Sequence, residues 1–225
     1  KVPGHQEGQY FLGLAYRHLG RLTDSADRLR RAIALEPGDA RANFQLGRVL
    51  QDLGKNAESV AAYQAALMAN PLDAVAYNNL GNVFAKRGDV DQAIGAYKEA
   101  IRVRSDYATA YNNLGDQYAF RLDDFGTGKA FFEAALKYEP DFVMGIHNLG
   151  TVLMGRGETA AAKGKFERVM ELDESFVPTM GNLVAIYIEE GKREEAREMV
   201  RRMEEILPGD DRVKELRRKA EALGK

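Results

Sequence analysis

A nine-residue sequence motif recurs along this chain at a nearly fixed interval, and that interval limits the folds that the chain can adopt. AYNNLGNVF occupies residues 76–84 and AYNNLGDQY occupies residues 110–118, with six of the nine letters identical. Weaker copies begin at residues 8, 42, 145 and 179, so the successive steps are 34, 34, 34, 35 and 34 residues. A constant period of this length is typical of a repeat architecture, in which each unit packs mainly on its neighbours.

Each unit carries the pattern of two short helices. Leu80 and Phe84 repeat at helical spacing, and Ala93 and Tyr97 do so further along. Gly88 lies between the two runs, where a glycine commonly ends a helix. Equivalent glycines occur at Gly20, Gly54, Gly157 and Gly191, and a proline ends the second helix at Pro37, Pro71, Pro140 and Pro208. The sequence therefore predicts a series of helix pairs.

The stretch LGNVF at 80–84, followed by Ala93, Tyr97 and Ala100, resembles the tetratricopeptide repeat. The resemblance extends over six units, 6–39, 40–73, 74–107, 108–142, 143–176 and 177–210, and a capping helix is expected at 211–225 with an apolar stripe of Val213, Leu216, Ala220 and Leu223. The resemblance implies an all-α fold, a right-handed superhelical solenoid whose first helices line a concave groove.

Several units depart from the pattern; the third and fifth lack the terminal proline and have Ser105 and Glu174 there. The fourth has one extra residue, lacks the turn glycine, and places Gly128 where alanine is expected, so we expect a local irregularity near residues 120–128. The sixth has Val184 where the other units have the glycine of Leu-Gly, a small residue that lets the two helices approach closely.

A row of carboxamides precedes the leucine that stands at the Leu-Gly position of each unit, apart from Phe11 in the first unit. Its members are Gln45, Asn79, Asn113, Asn148 and Asn182. Helix geometry turns each about 100° away from the packed leucine, and the resemblance implies that this position faces the groove. A similar asparagine ladder occurs in the tetratricopeptide region of O-linked N-acetylglucosamine transferases and in armadillo-repeat importins. An amide both donates and accepts hydrogen bonds, so the row predicts a grip on the backbone of an extended peptide.

Further residues are expected beside this row: Phe44, Arg48, Asn78, Asn82, Asn112, Asp116 and His147. An alternative interpretation of the asparagines stays open, in which they only tie the first helices of adjacent repeats together.

Composition and motifs argue against other chemistry. The net charge of −2 gives no basis for nucleic-acid binding, and the absence of cysteine removes thiol catalysis, disulfides and cysteine metal sites. No apolar run approaches the roughly 20 residues of a membrane span. GTGKA at 126–130 lacks the serine or threonine of a phosphate loop, and the three histidines have no ligands at metal spacing. We predict no catalytic residue, no cofactor and no metal.

The leading prediction is a non-enzymatic scaffold that binds an extended segment of a partner protein. Two alternatives remain: a substrate-recruiting arm of a larger enzyme such as a glycosyltransferase, and a self-assembling homo-oligomer. KVPGHQEG, the first eight residues, has no initiator Met and no signal-peptide core, which we interpret as a piece of a larger or processed protein. The compartment stays open, with the cytoplasm slightly favoured over the periplasm.

Overall fold

A computed structural model describes residues 5–222 of the chain, and this part is all-α, with thirteen α-helices and no strand. The predicted fold class is confirmed. The helices are α1 Gln6–His18, α2 Leu22–Leu35, α3 Ala40–Asp52, α4 Asn56–Ala69, α5 Ala74–Arg87, α6 Val90–Val103, α7 Ala108–Asp116, α8 Phe125–Tyr138, α9 Val143–Gly155, α10 Thr159–Leu172, α11 Val177–Glu189, α12 Arg193–Ile206 and α13 Asp211–Ala222.

The helices belong to two compact units. The N-terminal unit extends to Gln117 and contains α1–α7, and the C-terminal unit begins at Tyr118 and contains α8–α13. Within the N-terminal unit, α1 packs on α2, α3 on α4, and α5 on α6. Within the C-terminal unit, α9 packs on α10 and α11 on α12. Odd-numbered helices up to α11 are called first helices below, and their even-numbered partners second helices.

The turn between the two helices of a pair is built by glycine. Gly88 has φ +85°, the left-handed region that L side chains avoid, and its N–H donates to the carbonyl of Ala85 at 3.1 Å. At the other end of α5, the Asp73 side chain accepts a hydrogen bond from the N–H of Ala76 at 2.9 Å. Local sequence thus fixes where α5 begins and ends.

A glycine lies directly beneath a large side chain of its partner helix. A Cβ at Gly81 would lie 2.5 Å from Cε1 of Tyr97, and a Cβ at Gly47 would lie 2.8 Å from Cδ1 of Tyr63. The same relation holds between Gly13 and Leu29 and between Gly150 and Phe166. The glycine of Leu-Gly is therefore a packing requirement within each of these helix pairs.

The helix pair α11 and α12 forms the equivalent contact with different residues. Val184 stands where the glycine is expected, and Val200 stands at the position of Tyr97 in the pattern. Both valines are buried in the hydrophobic core of the C-terminal unit. The smaller partner on α12 leaves room for the larger residue on α11, so the total side-chain volume is roughly conserved.

The irregularity expected near residues 120–128 is present. A π-helical turn, Gln117–Arg121, follows α7, which is how a helix commonly absorbs one inserted residue. Asp123, with φ +54°, adopts the left-handed conformation that glycine has in the other turns. A Cβ at Gly128 would lie 2.5 Å from Cβ of Ala119 and 2.9 Å from its backbone nitrogen, so the glycine accommodates the displaced backbone.

The two ends of the described chain differ in how they are covered. Helix α13 packs on α11 and α12, with Val213 and Ala220 buried and Leu216 partly buried, while Leu223 lies outside the described residues. Leu12, which stands at the Leu-Gly position of the first unit, differs from the buried leucines of the other units because its side chain is 44% exposed. The equivalent Leu46 is buried beside α2, whereas α1 has no preceding pair among the described residues.

Candidate functional site: the polar row on the first helices

The polar row lies on successive first helices and keeps contact with solvent. Gln45, Asn79 and Asn113 lie on α3, α5 and α7 of the N-terminal unit, and all three are partly exposed. The leucines that follow them are buried, in agreement with the turn of the helix. In the C-terminal unit, Asn148 on α9 and Asn182 on α11 are also partly exposed.

Asn113 connects two adjacent first helices. Its Nδ2 donates to Oδ1 of Asn78 at 2.9 Å and to Oδ1 of Asn82 at 3.1 Å, both on α5. Tyr97 Oη also donates to Oδ1 of Asn82, at 2.8 Å. Because an amide nitrogen carries two hydrogens, these bonds use the donors of Asn113 and leave its carbonyl oxygen for another group. The network agrees with the alternative in which asparagines tie adjacent repeats together.

Asn79 takes part in a second contact between repeats. The hydroxyl of Tyr63, on α4, donates to Oε1 of Gln51 at 3.0 Å and lies close to the side chain of Asn79. Burial raises the pKa of Tyr63 and of Tyr97, so both phenols remain protonated donors at neutral pH. Gln45 differs from its two counterparts because its Oε1 is shielded and has no hydrogen-bond partner within residues 5–222.

The expected neighbours of the row are divided between surface and interior. Asn78 and Asn112 were expected at the groove surface, but they are only 3% and 4% exposed, since they lie on the side of the helix that packs against its neighbour. Phe44 is half-buried with its ring edge-to-face on Tyr63, at a centroid distance of 5.9 Å. Asn82, Asp116 and Arg48 remain partly exposed beside the row.

His147 occupies the position of Asn78 and Asn112 in the C-terminal unit. Its Nδ1 is 2.8 Å from Oγ1 of the fully buried Thr179, so it connects α9 to α11. Its ring lies beside Phe166 and Phe176, with centroid distances of 5.8 and 5.2 Å. Burial lowers the pKa of His147 because the charged imidazolium would lose its hydration. Thr179 was not foreseen as its partner.

A pocket between α1 and α3 was also missed. It measures about 510 Å³, and its lining residues are Leu14, Arg17, His18, Leu22, Gln45, Arg48 and Asp52. Arg17 Nη2 is 3.2 Å from Oδ2 of Asp52, about one repeat further along the chain. The pairing could have been found by asking which charges fall near one period apart at the C-terminal ends of successive first helices.

The histidines, the acidic side chains and the GTGKA segment can each be placed in the part of the chain that the structure describes. No group of three or more His, Asp or Glu side chains in residues 5–222 is placed to hold a metal ion. The GTGKA segment lies in the first turns of α8, where Asp124 caps the helix through the N–H of Thr127 at 3.0 Å. Among the described helices, none is both long and apolar enough to cross a membrane.

Helix pairs closed by a glycine beneath a large side chain, with polar side chains along the first helices, define a class of helical-repeat scaffold. Sequence models described as tetratricopeptide repeat match residues 1–40, 44–108, 79–119, 108–142 and 153–220. The chain therefore belongs to the tetratricopeptide repeat family, whose members are generally non-catalytic scaffolds that bind protein partners. No match was found among curated protein sequences.

Several solved structures share the fold. Pseudomonas aeruginosa PilF is 18% identical with a TM-score of 0.81, over 95% of this chain and 97% of that one. PilW, described as a widely conserved type IV pilus biogenesis factor, is 18% identical with a TM-score of 0.81, over 94% and 97% of the two chains. YrrB, described as having an unusual peptide-binding site, is 21% identical with a TM-score of 0.62, over 86% and 99%. These likenesses establish the fold.

Proposed function

We propose that this chain is a non-catalytic scaffold whose N-terminal unit binds an extended peptide segment of a partner protein along α3, α5 and α7. The observation that carries the proposal is the row of partly exposed amides at Gln45, Asn79 and Asn113, each on a successive first helix. We further propose that the chain comprises six repeats, 6–39, 40–73, 74–107, 108–142, 143–176 and 177–210, with the last helix as their cap.

The three amides differ in the hydrogen-bonding atoms that they can offer to a ligand. Asn113 has committed its N–H groups to α5, so it offers its carbonyl oxygen to an N–H of the ligand. Gln45 has an acceptor, Oε1, with no donor among the described residues, and a rotation of its partly exposed side chain would present this shielded atom to the ligand. Asn79 exchanges its contact with Tyr63 for one with the ligand. An asparagine that holds two repeats in register also holds the peptide-binding surface in register. Hydrogen bonding between repeats and hydrogen bonding to a peptide are therefore compatible roles for these side chains.

An extended peptide suits this row because its backbone presents an N–H and a C=O at every residue. Each net hydrogen bond contributes about 0.5–1.5 kcal/mol, so three amides and a few flanking contacts correspond to roughly micromolar affinity at best. YrrB, a protein of the same fold, is described as having a peptide-binding site, which supports this use of the fold.

The test separates binding from stability. Peptides are selected from a random library displayed on phage, and their affinities are measured by fluorescence polarisation for the parent chain and for Gln45→Ala/Asn79→Ala. We expect binding at least tenfold weaker in the double variant, equivalent to about 1.4 kcal/mol, with an unchanged circular dichroism spectrum.

Gln92→Ala is the matched control, since Gln92 is an exposed amide on the second helix α6. It should bind the selected peptides as the parent does. Failure to select any peptide, or equal affinity in the double variant and the parent, would refute the proposal. A molecular mass that rises with protein concentration in the ultracentrifuge would instead support self-assembly.

A further inference from the structure

A hollow of about 440 Å³ lies between α8, α9 and α10 of the C-terminal unit, and none of its lining residues belongs to the polar row. Its apolar walls are Leu136, Pro140 and Ile146. The side formed by α10 has almost no side chains, because the residues there are Ala160, Ala161 and Gly164, all of them exposed. A Cβ at Gly164 would meet nothing within 4 Å, so the hollow has room for the side chains of a ligand.

This face of α10 differs from the same face of most other second helices. At the positions equivalent to Ala160, Ala161 and Gly164, the helices α2, α4, α6 and α12 each have at least one acidic residue, such as Asp24, Glu58, Asp91 and Glu195. Charged side chains of this kind keep a helix surface hydrated. Helix α10 has none at these positions, and neither has α8, which lines the same hollow. Exposed apolar surface is therefore concentrated at α8 and α10, as at an interaction site.

The charged residues that line the hollow are both cationic. They are Lys165 and Arg168, and no acidic residue is among the lining residues. Arg168 is already paired with Asp141 and with Glu171, each at 2.7 Å. Lys165 forms no ion pair within residues 5–222. The hollow is therefore complementary to a ligand that has an acidic group beside apolar side chains.

We infer that this hollow docks an amphipathic α-helix of a partner protein, with apolar side chains against Leu136 and Ile146 and an acidic side chain beside Lys165. A helix suits the hollow better than an extended segment, because a helix satisfies its own backbone hydrogen bonds. The lining side chains include no hydrogen-bond acceptor, so the N–H groups of an extended segment would lose their partners there. Two helices also approach closely where the surface of one is alanine and glycine. The inference goes beyond the proposed function, since it concerns second helices and a separate segment of a partner.

Three synthetic peptides of roughly 18 residues, long enough to form helix in isolation, test the inference. The first is an alanine-rich helix with a stripe of leucines flanked by glutamates. The second has lysine in place of each glutamate. The third has the sequence of the first with a central proline, which breaks the helix. Each is titrated into the ¹⁵N-labelled chain while the backbone amide signals are followed by NMR.

We expect saturable shifts in α10 and in the C-terminal half of α8 with the acidic helix, and roughly tenfold weaker affinity for the other two peptides. Gly164→Gln fills the hollow without adding charge and should weaken binding of the acidic helix to a similar extent. Gly95→Gln is the matched control, because Gly95 is the equivalent residue of α6 and its Cβ position is equally open. This control should bind as the parent does, and both variants are checked for unchanged circular dichroism.

A second variant tests the charge separately from the shape of the hollow. Lys165→Glu should reverse the preference, so that the lysine-flanked helix binds more tightly than the acidic one.

No binding of the acidic helix, equal affinities for the two charged helices, or equal binding by Gly164→Gln and the parent would overturn the inference. Equal affinity for the proline-containing peptide would contradict it as well, because the hollow would then not select a helix. None of these results bears on the row of Gln45, Asn79 and Asn113, which is tested with other peptides and other variants. The two proposals therefore fail separately.

Discussion

Gly81 shows how the absence of one methyl group sets the distance between two helices. The Tyr97 ring occupies the space that a side chain at Gly81 would take, and this ring is almost completely buried. A planar ring fixed on its partner helix has little freedom to move aside. The pattern Leu-Gly therefore records a contact with a residue on the next helix, and not a break in α5.

Gly81→Ala should destabilise the chain by about 1–3 kcal/mol, since the added Cβ would overpack the contact with Tyr97. Gly95→Ala is the matched control, because Gly95 lies in α6 of the same helix pair and nothing approaches its Cβ position within 4 Å. The control should be neutral or more stable by up to about 1 kcal/mol from helix propensity. Chemical denaturation measures both, and equal effects would contradict the packing argument.

The sequence predicted the spacing of the polar row but not the partners of its members. Helix periodicity places Asn79 and Asn113 about 100° from a buried leucine, and both are partly exposed. It does not say that Asn113 donates to Asn78 and Asn82, because those bonds depend on the distance between two helices that are 34 residues apart in the repeat. Contacts between side chains that are far apart in the sequence depend on how the helices pack. Local sequence patterns do not reveal that packing.

Among helices, the segment from α7 to α8 shows how one inserted residue is absorbed. The π-helical turn Gln117–Arg121 takes up the insertion, Asp123 provides the left-handed residue, and Gly128 leaves space for Ala119. The sequence indicated the place, because the step of 35 residues and the missing turn glycine both fall here. It did not indicate the π-helical form, since an extra residue can equally be placed in a loop.

Gly128→Ala should therefore cost about 1–3 kcal/mol by overpacking, even though alanine is the residue that the repeat pattern expects at this position. The control Gly126→Ala lies in the same helix, and its Cβ would meet Asp124 Oδ1 at an ordinary 3.5 Å. Chemical denaturation of the two variants gives the comparison. A stable Gly128→Ala variant would mean that the π-helical turn rearranges readily, contrary to the tight fit described above.

At the scale of the whole molecule, the two compact units differ in the side chain at one equivalent position of their first helices. The C-terminal unit contains His147, whose pKa is lowered by burial from the ordinary 6.5. Because the unfolded chain binds a proton here more readily than the folded chain, stability is fully present above about pH 6.5 and is lost as the pH falls towards the folded pKa. In the N-terminal unit, asparagine replaces histidine at the equivalent positions Asn78 and Asn112.

Acid should therefore open the C-terminal unit more than the N-terminal unit. Hydrogen exchange measured by mass spectrometry at pH 7.5 and 5.5, corrected for intrinsic rates, should show reduced protection in α9 and α11 at the lower pH. The variant His147→Asn removes the titrating group and should remove most of this difference. An unchanged acid response in that variant would show that other groups are responsible.

The all-α repeat fold followed from the sequence because each helix pair encodes the same local signals. The compact division at Gln117 and Tyr118 did not, because it depends on the density of contacts and not on any single motif. The pocket with Arg17 and Arg48 was missed for a related reason, since its charges come from two different repeats.

For the four Leu-Gly glycines described above, the glycine and the side chain that covers it belong to the same helix pair, as with Gly81 and Tyr97 or Gly150 and Phe166. A gene duplication that copies one full period therefore copies both halves of the contact together. The pair with Val184 and Val200, both buried in one core, would likewise be copied intact. The array can therefore gain or lose whole periods by recombination. No pair then needs a compensating substitution at the contact between its two helices.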